Sequence, residues 1–134
     1  MKKKIFSILL IAFLALTALS GCGSAAIPLN DYVSVTFSGK NGEGRASAKL
    51  DMDALLEDYA GVLGIDKENE PYEAFAIYGD FHTRIDGEID RKSGLSNGDT
   101  VKFVWDEIDS GHFSEKYSVD LNYSDIEFTV NGLE

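Results

Sequence analysis

The 134-residue chain contains one cysteine, Cys22, which therefore has no partner within the chain for a disulfide. It has two histidines, His82 and His112, and neither belongs to a His-x-x-x-His pair, a Gly-x-Ser-x-Gly elbow or any other nucleophile motif. Basic residues are scarce, 12 against 23 acidic ones, and none falls between Lys4 and Lys40. A surface of that sign repels phosphate backbones and anionic headgroups, which excludes nucleic-acid binding, and it attracts metal cations and basic partners. Nor is there an apolar run of full spanning length: Ile5 to Leu19, broken only by Ser7 and Thr17, falls short of the roughly 20 residues that cross a hydrocarbon core.

What that run does have is the layout of an export signal. Lys2, Lys3 and Lys4 supply the positive start, the apolar stretch follows, and the small residues Ser20 and Gly21 close it. Leu19-Ser20-Gly21-Cys22 resembles the lipobox of bacterial lipoproteins. The resemblance implies cleavage between Gly21 and Cys22 after the cysteine thiol has received a diacylglyceryl group. Residues 1–21 are then a signal peptide, and Cys22 becomes the lipidated first residue of a protein held at the extracytoplasmic face of the cell membrane. Stable anchoring needs more than one acyl chain, since each buried methylene contributes only about 0.8 kcal/mol, and the lipobox implies two or more. A lipidated Cys22 leaves the exported domain without a thiol, which rules out thiol catalysis and cysteine zinc sites.

Loss of the three leader lysines changes the balance to nine basic against 23 acidic residues, a formal charge of −14 on 113 residues. That length suits one domain with its own core. Residues 22–30, ending Ala-Ala-Ile-Pro-Leu-Asn, read as a lipidated tether. Its eight positions after the cysteine span at most about 28 Å.

From residue 31 to 134 the dominant signal is alternation. Val33, Val35 and Phe37 alternate with Ser34, Thr36 and Ser38, and Ala46, Ala48 and Leu50 alternate with polar neighbours, around an Asn41-Gly42 hairpin signal. One short helix is predicted over about 51–62, capped by Asp51, with Leu55, Tyr59 and Val62 at helical spacing and Gly61 and Gly64 as the stop. Residues 65–71 read as a polar loop, and 72–78 fit a strand or a helix equally. Over 80–90, Phe81, Thr83, Ile85, Gly87 and Ile89 share one strand face, and His82, Arg84, Asp86, Glu88 and Asp90 the other. Val101, Phe103 and Trp105 occupy the inward parity of the next strand, which favours core over a sugar-stacking platform. Ser110 to Lys116 reads as a connection with at most one helical turn, and strands near 119–123 and 126–130 finish the chain. Some six strands and little helix predict a mainly β fold, a small immunoglobulin-like β-sandwich.

Tyr32-Val33-Ser34-Val35-Thr36-Phe37-Ser38-Gly39, then Leu95-Ser96-Asn97-Gly98-Asp99, then Val130-Asn131-Gly132-Leu133 together resemble a recurrent extracytoplasmic β-rich domain of Gram-positive bacteria. The resemblance spans about 100 residues and implies a fold and an address. It assigns no catalytic residue, and this chain departs from it in its lipid anchor and in stopping at Glu134 without a second copy.

The expected function is therefore that of a lipid-anchored envelope protein, an acidic binding or structural module and not an enzyme, needing no cofactor. Three variants differ in what they require. A calcium module would use Asp86, Glu88 and Asp90, whose alternate carboxylates repel one another across about 7 Å until a cation, Arg84 or water relieves them. An adhesion module for a protein or cell-wall partner needs an exposed patch with an apolar centre and an acidic rim. A small hydrolase needs a concave pocket holding two close carboxylates or a histidine.

Overall fold

The computed structural model describes residues 25–134, so the signal segment and Cys22 lie outside the described residues. The hairpin forms where alternation places it. Strands β2 (Val33–Ser38) and β3 (Arg45–Leu50) pair antiparallel in a register running from Val33 opposite Leu50 to Ser38 opposite Arg45. Gly39 and Gly42 take φ of 102° and 95° in the turn, values that L side chains resist.

The fold as a whole corrects the sandwich expectation. Helices and strands take nearly equal shares of the described residues, and the strands form three small sheets with no pair of large sheets facing each other. β4 (Gly87–Ile89), β5 (Thr100–Trp105) and β7 (Ile126–Thr129) make an antiparallel sheet in the order β4-β5-β7. β1 (Ala25–Pro28) pairs in parallel with β6 (Val119–Asn122), an arrangement that successive hairpins do not produce.

Helices supply the rest of the core's cover. Asp51 caps α1 (Met52–Asp58) as expected, its Oδ1 accepting the Ala54 amide at 3.1 Å. The path continues through Tyr59 into α2 (Ala60–Leu63) and stops at Gly64, φ 75°. Then comes the largest departure, α3, which runs from Pro71 to Arg84 and absorbs both the ambiguous stretch and the first half of the expected 80–90 strand. Ala74, Ile77 and Phe81 face the core from it, and Ile85 continues the row. These residues recur at intervals of three and four, a helical stripe. The spacing from Phe81 to Ile85 also fits period two, so the stripe and the alternation share both residues. Pro71 at the first helical position, Glu73 in the first turn and His82 and Arg84 in the last all agree with the helix. Only Gly87–Ile89 of the expected strand is β. The 110–116 connection is likewise a helix, α4 (Ser110–Tyr117), capped by Asp109.

The tether reading also changes. Residues 25–30 contain β1 and the start of a short 3-10 turn (Leu29–Tyr32), and Ile27 and Leu29 have no exposed surface. Asn30 is fixed as well, its Oδ1 accepting Trp105 Nε1 at 3.0 Å, and Trp105 donates also to the Ser124 carbonyl at 3.0 Å. Val101, Phe103 and Trp105 are buried, as their strand parity requires. A single buried cluster takes residues from β1, the helices and the three-stranded sheet. Each strand of residues 25–134 finds its partner within that span, so the span carries what it needs to fold as one unit.

At the far end of the hairpin, the three sequence blocks quoted above meet. Gly44 and Leu95 exchange backbone hydrogen bonds at 3.0 and 3.1 Å, and the Asn97 amide donates to Asn41 Oδ1 at 2.7 Å. The Asn97 side chain accepts the Leu133 amide (2.9 Å) and donates to its carbonyl (3.1 Å), while the Glu134 amide donates to the Gly39 carbonyl (3.1 Å). Both Asn-Gly turns thus serve as a clasp on the last residues.

Gly87 marks another tight approach. A Cβ there would lie 2.7 Å from the Phe103 ring and from the Val104 carbonyl oxygen. Phe103 is buried and has nowhere to retreat. Gly87→Ala is therefore expected to cost about 1–3 kcal/mol. A denaturant titration checks it, and an unchanged midpoint would contradict the crowding.

Candidate functional site

Asp86, Glu88 and Asp90 do not converge. Asp86 lies before β4, where its Oδ1 accepts the Gly87 amide at 2.8 Å. Glu88 pairs with Lys92 at 3.3 Å, and Asp90, after the strand, accepts the Lys102 amide at 2.9 Å. Among the described residues no group of three or more His, Cys, Asp or Glu side chains is placed to hold a metal ion. With only three residues of β structure in this segment, the alternation that would align the carboxylates does not extend across it.

The strongest polar cluster centres instead on Asp80, on the flank of α3 that faces α4. Its carboxylate accepts Arg84 Nε on Oδ1 at 2.6 Å, and on Oδ2 the Tyr117 hydroxyl at 2.7 Å and His112 Nε2 at 2.8 Å. Lys116 Nζ stands 3.8 Å away, and the Asp80 side chain is 11% exposed. Burial by itself would push this carboxyl up, but the donors His112, Tyr117 and Arg84 outweigh it and hold it well below the usual carboxylate range. Burial first, and the Asp80 charge second, push the Tyr117 phenol up. Beneath the cluster, Phe81 meets Phe113 edge to face at 4.8 Å and Tyr117 at 5.3 Å. Among the described residues no Ser, Thr or Cys side chain hydrogen-bonds the His112 ring. The arrangement is a charged pin through an aromatic helix contact, and His112, which no sequence motif singles out, is one of its arms. His82, expected on an outer strand row, sits in the last turn of α3, 3.4 Å from Asp53 Oδ1.

The other flank of α3 has a different character. Pro71, Phe75, Tyr78, Gly79 and His82 recur at helical intervals beside the core stripe, and with Ala74 and Lys67 they line an open groove of about 530 Å³. Phe75 is 79% exposed and Tyr72 88%, and Val62 stands half exposed at the end of α2. Asp53 and Glu57 are one turn apart on α1, and Asp53 reaches across to His82. Lys67 Nζ lies 5.0 Å from the centre of the Tyr78 ring. Tyr78, and after it the carboxylates of Glu57 and Asp53, raise the basicity of that ammonium. The outcome is an exposed aromatic groove with Lys67 in its wall and Asp53 bordering it at His82, on a helix that the strand reading of 80–90 divides.

No helix among the described residues is long and apolar enough to cross a membrane. Searches of family models, curated proteins and solved structures find no match to the chain.

Proposed function

We propose that this chain is a bacterial lipoprotein, held at the extracytoplasmic face of the cell membrane by lipid on Cys22, whose acidic domain is a protein-binding module. The address rests on the leader and on Leu19-Ser20-Gly21-Cys22. The module reading is carried by the groove on α3, an exposed apolar centre with carboxylates beside it, which is what an adhesion surface requires. Soluble proteins seldom leave two neighbouring aromatics as open as Tyr72 and Phe75 unless something covers them. β1 begins at Ala25, three residues after Cys22, so an anchored domain stands within about 11 Å of its lipid. Such a module meets its partners close to the bilayer.

Two measurements separate address from activity. Membrane fractionation with mass spectrometry of the amino terminus is expected to show lipidated Cys22 in the parent and release of Cys22→Ala from the membrane. An intact Met1, or equal retention of the variant, overturns the address. A photo-crosslinking amino acid at position 75 in living cells is expected to give a discrete protein adduct that the same group at exposed Thr129 does not. Identical adduct patterns at both positions, or none at 75, overturn the module reading.

A further inference from the structure

We propose, building on the binding-module reading, that the groove along α3, bordered by α1 where Asp53 meets His82, takes a cationic amphipathic segment of a partner protein. In this arrangement the segment's apolar side chains lie on Phe75 and Ala74, and its lysine or arginine side chains lie against Asp53 and Glu57.

Three observations select that occupant. Helical spacing is the first: Ala74, Ile77 and Phe81 point into the core, Asp80 and Arg84 turn toward α4, and Pro71, Phe75, Tyr78 and His82 are left on a separate stripe with nothing from the described residues over Phe75. An unpartnered apolar stripe beside a second helix suits a helix-in-groove or extended-peptide contact.

Charge is the second. Residues 51–84 carry nine acidic side chains and only Lys67 and Arg84 as bases, a balance of −7 that is half of the exported chain's total. Arg84 is committed to Asp80 on the opposite flank. Long-range attraction to this segment of the fold is therefore for cations. The same field opposes a second copy of the chain and an anionic lipid surface.

The third is Lys67 itself. The chain already places one ammonium over the Tyr78 ring, within the influence of Glu57 and Asp53. A cation held beside these carboxylates is the local chemistry that a partner's lysine or arginine would reproduce at Asp53 and Glu57.

The test uses residues 25–134, checked for a cooperative unfolding transition, and three synthetic 18-residue amphipathic peptides of leucine with lysine, glutamine or glutamate. Fluorescence anisotropy is expected to show the leucine-lysine peptide binding at least about ten-fold tighter than the glutamine peptide, with no binding of the glutamate peptide. Phe75→Asp is expected to weaken the lysine peptide about ten-fold although it adds a negative charge, whereas a purely Coulombic attraction would strengthen. The Asp53→Asn, Glu57→Gln pair is expected to weaken the lysine peptide and leave the glutamine peptide unchanged. Both variants change only exposed side chains, and their unfolding midpoints are measured alongside to confirm that they fold. Equal affinity for lysine and glutamine peptides overturns the cation preference while the module reading stands on its crosslink at position 75. Undiminished binding by Phe75→Asp overturns the groove as the site, and so does failure of every peptide to bind. Phosphatidylcholine vesicles form the last arm: association that Phe75→Asp abolishes would make the occupant a bilayer and overturn the proposal.

Discussion

Phe81→Ala is expected to lower the stability of residues 25–134 by about 4 kcal/mol. Phe81 has no exposed surface, and it is the ring on which α3 meets both Phe113 and Tyr117 of α4. Removing it takes away the transfer energy of a large side chain and opens a cavity among side chains that are fixed from other directions, because Asp80 still pins Tyr117 from above. With about 4 °C lost per kcal/mol in a domain of this size, the thermal midpoint should fall by about 15 °C. Phe81→Leu retains most of the volume and should cost less than half as much. Calorimetry of both variants checks the ranking. If Phe81→Ala melts within a few degrees of the parent, the α3 to α4 contact is not part of the cooperative core.

The Asp80 pin should show itself through pH. Asp80→Asn keeps the shape but gives up the charge that three donors address, and is expected to cost about 2 kcal/mol near neutrality. The sign follows from linkage. The folded-state carboxyl is held below its ordinary value, so its contribution is full above the unfolded value of about 4 and is lost as pH falls below that. The gap between parent and variant should therefore persist from neutral pH down to about pH 4 and shrink below it. Arg84, Lys116, His112 and Tyr117 are the titratable groups facing the carboxylate, and all remain in the variant. Urea titrations of the pair across that range decide it. A gap that stays constant or widens below about pH 4 would mean that Asp80 is not ionised in the folded protein.

The β2 to β3 hairpin, the Asp51 cap and the inward face of β5 are all visible in the sequence because each is a local matter of period or turn chemistry. What misleads is residues 71–90. Phe81 and Ile85 lie four apart, a spacing common to two turns of alternation and one turn of helix, and Gly79 adds an apparent break. Treating Asp80 as the start of a strand separates it from Pro71, the residue that opens the helix. Once 71–84 is a single helix, both sites become legible: Asp80 and Arg84 are an i, i+4 pair on one flank, and Pro71, Phe75, Tyr78 and His82 are a stripe on the other. The link from Asp80 to His112 and Tyr117 is not legible in any window, since it joins residues more than 30 positions apart through tertiary packing. The pairing of β1 with β6 is hidden for the same reason, and Ile27 and Leu29 look like linker until Val119 and Leu121 are beside them.

The clasp on Leu133 and the seam between β1 and β6 also set the order in which the chain can fold. The first strand waits for residues 119–122, and the hairpin tip waits for residues 133 and 134. Contacts of such wide sequence separation come at the cost of closing long loops before any reward is returned, which slows the approach to the native state. Helix α3 and the β2 to β3 hairpin can form early from neighbours alone, but the helix is secured only by residues 112–117 and the hairpin tip only by residues 133 and 134. A polypeptide delivered amino end first would thus stay pliable until residues 119–134 have followed.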